Sequence, residues 1–299
     1  MTENTPRQQE VVPNSAGTYL PELKAPPNAC DCHMHIYDAA RFAPARPGSR
    51  MQANAAVQDY RRLQKRIGTG RTVVVQPAAY GIDNRITLDA IAQLGNARGV
   101  AVVHPDVSNT ELETLHKGGV RGIRFTVFDP ATAVTKIEMI EPLAKRVADI
   151  GWHVQIHMRG DQIVANADML RRLPSIIVID HMGRVPFPDG TSHGSFKIVC
   201  DLIDRGRTWL KLSGAYQDTM IGPPTYADAT GLAQAYVKAA PERMVWGSDW
   251  PHPTEKDKPN DALLFDLLSV WAPNTATRQR ILVDNPETLY GFAASARGQ

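Results

Sequence analysis

Short β-branched or apolar runs recur along the 299-residue chain, each followed by a stretch whose apolar positions fall three and four residues apart. A period near two gives way to one near 3.6 and then returns, which is the alternation of a parallel α/β architecture. Strands are predicted over residues 29–36, 71–77, 99–105, 120–126, 152–158, 175–181, 208–214 and 243–249. Helices are predicted over such stretches as 57–67, 85–94, 111–117, 138–150, 162–173, 226–239 and 261–271, with a last one near 275–291. Gly118-Gly119, Gly151 and Pro241 punctuate the joins. Repeated β/α units of this number are most simply a (β/α)8 TIM barrel. An open doubly wound sheet is the alternative, but no Gly-x-Gly-x-x-Gly follows the first strand. Without an internal repeat or a second boundary, the expected organisation is an N-terminal arm or tail over residues 1–28 and one barrel over 29–299.

Composition narrows the class of partner. Hydrophobic residues make up 43% and charged residues 21%, as in a soluble globular protein. The net charge is +2 and the basic residues are scattered, so neither a nucleic-acid nor a membrane footprint is present, and small molecules are the expected partners. No run approaches the roughly 18 apolar residues of a membrane span. The first 28 residues are polar, contain prolines and carry Glu3, unlike a secretory signal. Cys30, Cys32 and Cys200 have no paired spacing, which argues against a disulfide framework and for a reducing, cytoplasmic setting.

In a barrel of this kind the chemistry sits at the C-terminal ends of the strands. The first strand ends with His33 and His35, the fourth offers Arg124 and Thr126, and the fifth ends with His157. His181 closes the sixth, and Asp249 closes the eighth within Trp246-Gly-Ser-Asp-Trp-Pro-His252. By alternation Asp31, His33 and His35 share a face, as do His153, Gln155 and His157, and as do Gly247 and Asp249. If those faces point into the mouth, four imidazoles and a carboxylate converge. Such a set suits Zn2+ with a position left open for water, and hence a hydrolase.

Each residue also has a plainer reading. The two histidines of the first strand could satisfy each other, Asp249 could be a loop carboxylate or helix cap, and His181 a satisfied core histidine. His104, His116 and His193 are assigned no function, since His116 lies on a helix and His193 in a loop. His153, deeper in its strand, reads as packing or as support for a ligand.

Asp31-Cys-His-Met-His35, Gly119-Val-Arg-Gly-Ile-Arg124, Ile179-Asp-His-Met-Gly-Arg184, Trp246-Gly-Ser-Asp-Trp-Pro-His252 and Asn285-Pro286 resemble, in order and in strand position, motifs of the amidohydrolase superfamily. The similarity is to the branch that includes 2-pyrone-4,6-dicarboxylate lactonase, 4-sulfomuconolactone hydrolase and sugar-lactone enzymes, and it runs from about Ala29 to Phe292. The resemblance implies that Asp249 takes a proton from the attacking water. It also implies that His33, His35 and His181 face the substrate carbonyl or a metal, and that Arg124 and Arg184 orient an acidic substrate. The pyrone-dicarboxylate lactonase works without a metal and has a tyrosine at the strand-five position where this chain has His157. The resemblance therefore points to one Zn2+ on His33, His35, His157 and Asp249, with His181 as an acid, base or electrophile. A bridging lysine or glutamate on the fourth strand is lacking, which argues against two metals, and Lys211 is expected to be a barrel lysine paired with a carboxylate.

Further arginines expected in a dicarboxylate pocket are missing after the fourth and seventh strands, so a less heavily carboxylated substrate is implied. Tyr80, Tyr216 and His252 are secondary candidates for substrate contact. Arg46, Arg50 and the N-terminal arm are candidates for closing the mouth or meeting a second subunit in a homo-oligomer. The expected activity is metal-assisted hydrolysis of a small acidic lactone, such as a muconolactone from aromatic catabolism. Its rivals are a sugar-acid lactonase or aldarolactone isomerase, a zinc-dependent non-oxidative decarboxylase and a noncatalytic binding barrel.

Overall fold

The computed structural model describes residues 11–295. Eight strands lie side by side in chain order, every pairing parallel. They are β1 (Cys30–Met34), β2 (Arg71–Val75), β3 (Ala97–Ala101), β4 (Val120–Thr126), β5 (His153–His157), β6 (Ile176–Ile179), β7 (Thr208–Leu212) and β8 (Met244–Trp246). A parallel bridge between Met34 and Trp250 brings β8 back to β1, so the expected (β/α)8 barrel is the observed fold.

The helices between strands are α1 (Val57–Ile67), α2 (Arg85–Leu94), α3 (Asn109–Lys117), α4 (Ile140–Ala148), α5 (Gly160–Ala165), α6 (Ala167–Arg172), α7 (Gly194–Asp204) and α8 (Ala227–Ala239). After β8 come α9 (Asp261–Trp271), α10 (Thr275–Gln279) and α11 (Asn285–Tyr290). Helix α7 was not among the predicted stretches. Its start, Ser-His-Gly-Ser, reads as a loop, yet His193 serves as the N-cap by accepting from the Ser195 amide. The single helix predicted over 162–173 is two helices meeting at Asn166. The one predicted near 275–291 is interrupted by a π turn over Arg280–Asp284.

Two apolar layers follow from strand alternation. Val74, Ile177, Ile179, Leu210 and Leu212 join the large core under the helices. Cys30, Cys32, Val73, Val75, Val100, Val178, Trp209 and Val245 form a second cluster with Tyr290 and Phe292. Drawn from so many strands, that cluster fills the lower barrel interior. The upper interior is polar instead, with His33, Gln155, Asp180 and Lys211 all buried.

Residues 11–28 form no helix or strand and lie along the barrel. The Trp250 indole donates to the Pro13 carbonyl and the Ala16 amide to that of Pro259. The first ten residues of the predicted arm fall outside the described residues. Among the described residues no helix is long and apolar enough to cross a membrane.

Candidate active site

Closure of the barrel builds the site. The Asp249 amide donates to the His33 carbonyl at 2.7 Å and the His35 amide to the Trp250 carbonyl at 2.8 Å, stitching the ends of β1 and β8 together. Gly247 permits this approach, since a Cβ there would lie 2.6 Å from the His33 Cβ and 2.9 Å from its backbone nitrogen.

The backbone departs from strict strand alternation at two of these places. The register of β1 on β2 shifts between Asp31 and Met34. Past that irregularity Asp31 turns to the helix layer, accepting from Tyr60, Ser248 and the His33 amide, while His33 and His35 face the mouth. Strand β8 ends at Trp246, so Asp249 reaches the mouth from a turn with φ 63° rather than from a strand face. His181, Arg184 and His252 also have positive φ. Backbone of this kind persists only where surrounding contacts over-determine it, and it clusters at functional sites.

His33 Nε2, His35 Nε2 and Asp249 Oδ1 form a near-equilateral triangle with edges of 3.3, 3.4 and 3.3 Å. His35 Nδ1 lies 2.8 Å from the Val75 carbonyl and donates to it, leaving an Nε2 lone pair for the triangle. His33 Nδ1 lies 3.3 Å from Asp180 Oδ1 and from Lys211 Nζ, and a proton on Nδ1 facing that carboxylate would give the same tautomer. Three acceptors facing one another call for a positive charge between them. Tetrahedral zinc with bonds of about 2.0–2.1 Å would set its ligand atoms about 3.3–3.4 Å apart. The triangle therefore fits a divalent cation. His33, Asp180 and His181 also lie close enough to hold one, but Asp180 already receives Arg124 Nε at 3.0 Å and Gln155 Nε2 at 3.1 Å, with Lys211 Nζ 3.7 Å away.

His157 reaches the mouth outside these two groups. Its Nε2 lies 3.1 Å from Arg184 Nη1, its Nδ1 lies 3.4 Å from Arg124 Nη2, and its ring stacks on Phe128. Burial, then the neighbouring His181 and Arg124, push its pKa well below that of a free imidazole.

Asp249 is almost fully buried. Burial favours its neutral form, but His181, His35 and His33 outweigh that and hold the carboxyl well below the usual range. The Tyr216 hydroxyl donates to its Oδ2 at 2.6 Å and the Gln217 amide at 2.9 Å. That leaves Oδ1 toward the histidines, with His181 Nε2 3.9 Å away. Burial pushes the His181 pKa down to about 4, despite the pull of Asp249 and Asp180. Its Nδ1 meets the Ser213 hydroxyl at 2.9 Å.

A cavity of about 620 Å³ opens above this floor, lined by His35, Arg124, His157, His181 and Asp249 and walled by residues 46–50 and 128–134. Of the residues expected to contact substrate, Arg124 lines it. Arg184 is turned to Asp218, with Nη2 2.7 Å from Oδ1. The Tyr80 hydroxyl accepts from the Asp38 amide. Tyr216 and His252 lie beneath the wall, where His252 bridges the Tyr216 hydroxyl at 3.0 Å and Asp261 at 3.1 Å.

Asp180 and Ser213 are not singled out by the sequence, and Gln155 only as a neighbour of His153 and His157 on one strand face. Asp180 follows Val178 onto the interior face by alternation, and adjacent strand residues normally face opposite ways; the left-handed backbone of His181 brings it to the interior as well. Lys211 behaves as expected, buried and near a carboxylate, donating to the Cys32 carbonyl and to Gln155 Oε1. His104 meets the Val134 carbonyl, and His116 accepts from the Trp152 indole.

Residues 30–292 match the amidohydrolase family. The chain is 36% identical to a 2-pyrone-4,6-dicarboxylate hydrolase of Comamonas testosteroni, over 90% of this chain and 92% of that protein. It is 35% identical to a 4-sulfomuconolactone hydrolase of Rhizobium radiobacter, over 89% and 91%. Similarity to a D-galactarolactone isomerase of Agrobacterium fabrum is 31%, over 94% and 97%. With motifs, barrel and match in agreement along nearly its whole length, the chain belongs to the amidohydrolase family.

Proposed function

We propose that the protein opens a small acidic lactone by adding water to the ring carbonyl, with Asp249 as the base. The observation that carries this reading is the paired environment of that carboxylate. Tyr216 and Gln217 hold Oδ2, while Oδ1 stands free of them on the cavity floor beside three imidazoles. Asp249 Oδ1 takes a proton from water as the oxygen adds to the carbonyl carbon. Negative charge then develops on the carbonyl oxygen, where His181, neutral at pH 7, presents Nε2 as a donor. Collapse of the tetrahedral intermediate breaks the ring C–O bond, and the proton held by Asp249 passes to the departing alkoxide or enolate.

His33, His35 and Asp249 would hold a divalent cation, for which zinc is our choice. When bound, it would polarise the carbonyl and acidify water. His157 would join that set only by exchanging its contact with Arg184. The lactone hydrolases among the relatives support hydrolysis, and muconolactone-type rings of aromatic catabolism are the substrates to try first. The isomerase relative supports a second reading, in which the ring-opened species closes on another hydroxyl.

Titrating acid release across a panel of lactones, with product analysis by NMR, tests both readings. Asp249→Asn is expected to lower kcat by about a thousandfold. Near-normal turnover in that variant overturns the mechanism, and a rearranged lactone as product favours isomerisation. Elemental analysis with chelation and zinc restoration tests the cation: His33→Ala is expected to lose it.

A further inference from the structure

We propose that Arg46 and Arg50 form an anion clamp on the outer wall of the cavity, selecting lactones whose carboxylate or sulfonate projects away from the reacting carbonyl. This rests on the lactone reading above and narrows it to a substrate class.

Of the two arginines expected from the sequence to orient an acidic substrate, Arg184 is turned away, and Arg124, though it lines the cavity, is tied down at one nitrogen. Arg124 donates through Nε to Asp180, and Arg184 grips Asp218 through Nε and Nη2. Arg46 and Arg50 also line the cavity. Among the described residues neither makes an ion pair. Arg46 Nη2 donates to the Thr132 carbonyl at 3.0 Å, and Arg50 Nη1 reaches the Pro253 carbonyl at 3.5 Å. Asp129, a carboxylate on the same lining, accepts from the Thr132 hydroxyl and the Ala131 amide of its own turn.

The segment that carries the pair is held in place. Its two ends are joined by the bridge between Tyr37 and Ala55. The Ala45 amide donates to the Ala79 carbonyl, and Arg41 grips Asp89 of α2 with two bonds of 2.7 Å. One arginine of this segment is thus neutralised as an anchor, whereas the two facing the cavity are not. Lys258, donating to Gln52 of the same segment, lies within electrostatic reach of Arg50, with Glu255 acting on it more strongly. A guanidinium matches a planar carboxylate or a sulfonate with two parallel bonds, and a charge-assisted pair is stronger than its present bond to a neutral carbonyl. The cavity has the volume of a site for a ligand larger than a bare lactone ring.

The test compares a lactone carboxylate with its neutral carboxamide counterpart, using wild type and Arg46→Gln/Arg50→Gln. Both side chains are exposed, so the double variant is expected to fold normally. Its kcat/KM for the carboxylate is expected to fall about 10- to 100-fold, mainly through KM, with less than a twofold change for the carboxamide. A sulfonated lactone should follow the carboxylate. Equal losses on charged and neutral substrates, or no loss on either, overturn the clamp. Should wild type open neither lactone, the lactone reading falls, and calorimetric titration with the ring-opened diacid decides the clamp alone. Affinity at least tenfold weaker in the double variant supports it, and equal affinity overturns it.

Discussion

The floor and the outer wall of the cavity treat charge in opposite ways. On the floor, Asp180 is ringed by Arg124, Gln155, His33 and Lys211, all buried. On the wall, among the described residues, Arg46 and Arg50 bond through their side chains only to carbonyls, and both stand in solvent. Charge that is fully partnered is fixed in position and unavailable to a ligand, as a reacting centre requires. Unpartnered charge can be captured by whatever anion enters. Orientation of the reacting atoms and choice of substrate are thus separated in space, and each can be disturbed without the other.

The largest effect is expected where the floor is most interdependent. Asp180→Asn leaves the Arg124 and Lys211 charges buried without their common counter-ion, a change that typically costs about 3–5 kcal/mol. Chemical denaturation should show that loss, together with collapse of activity on charged and neutral lactones alike. An unchanged midpoint would mean that the floor is not held electrostatically, and the contrast with the wall would lose its basis.

Tyr216→Phe is a milder disturbance of the same region. It removes the 2.6 Å bond to Asp249 Oδ2 and the contact to His252 while keeping the ring. Hydrogen bonds to charged groups contribute about 1.5–3 kcal/mol, so kcat should fall at least about tenfold with KM little altered. A change confined to KM would instead place Tyr216 against substrate, the role expected from sequence.

The place of Tyr216 behind Asp249 shows what a chain of residues can disclose. Periodicity located all eight strands and most helices, because burial imposes period two or 3.6 on residue choice. Strand ends then pointed to His33, His35, His157, His181 and Asp249, of which the last four line the cavity and His33 lies buried against His35 and Asp249. Side-chain partners were another matter. Nothing in Ile179-Asp-His says that His181 turns inward beside Asp180, which alternation with Val178 already points there, because a left-handed turn leaves no periodic trace. Nor does Arg184 announce Asp218, 34 positions on, as the partner that turns it from the cavity. Arg46 and Arg50 lie in a loop without periodicity, and only the fold shows which wall they line.

The smallest effect on activity is expected from His153, below the floor, and there the comparison is sharpest. Its ring sits over Gly122 and edge-on to Tyr290, and among the described residues neither nitrogen meets a partner in good hydrogen-bonding geometry. Burial, reinforced by the charge of Lys211, pushes its pKa down to about 3. The folded protein therefore resists protonation at this site, while an unfolded histidine takes up a proton below about 6.5. Stability from this residue is intact above that pH and falls as pH drops towards 3, by about 2 kcal/mol at pH 5. His153→Leu, of similar volume, removes two unsatisfied polar atoms as well as the titration, so stability at pH 7.5 should hold or rise. Turnover should stay within about twofold of wild type, since the ring lies below the reacting groups. Denaturation midpoints at pH 7.5 and pH 5 check the point, with the variant losing less than wild type between them. Equal losses would show that His153 is already protonated in the fold, and that the barrel interior beneath the floor carries a charge the site above must feel.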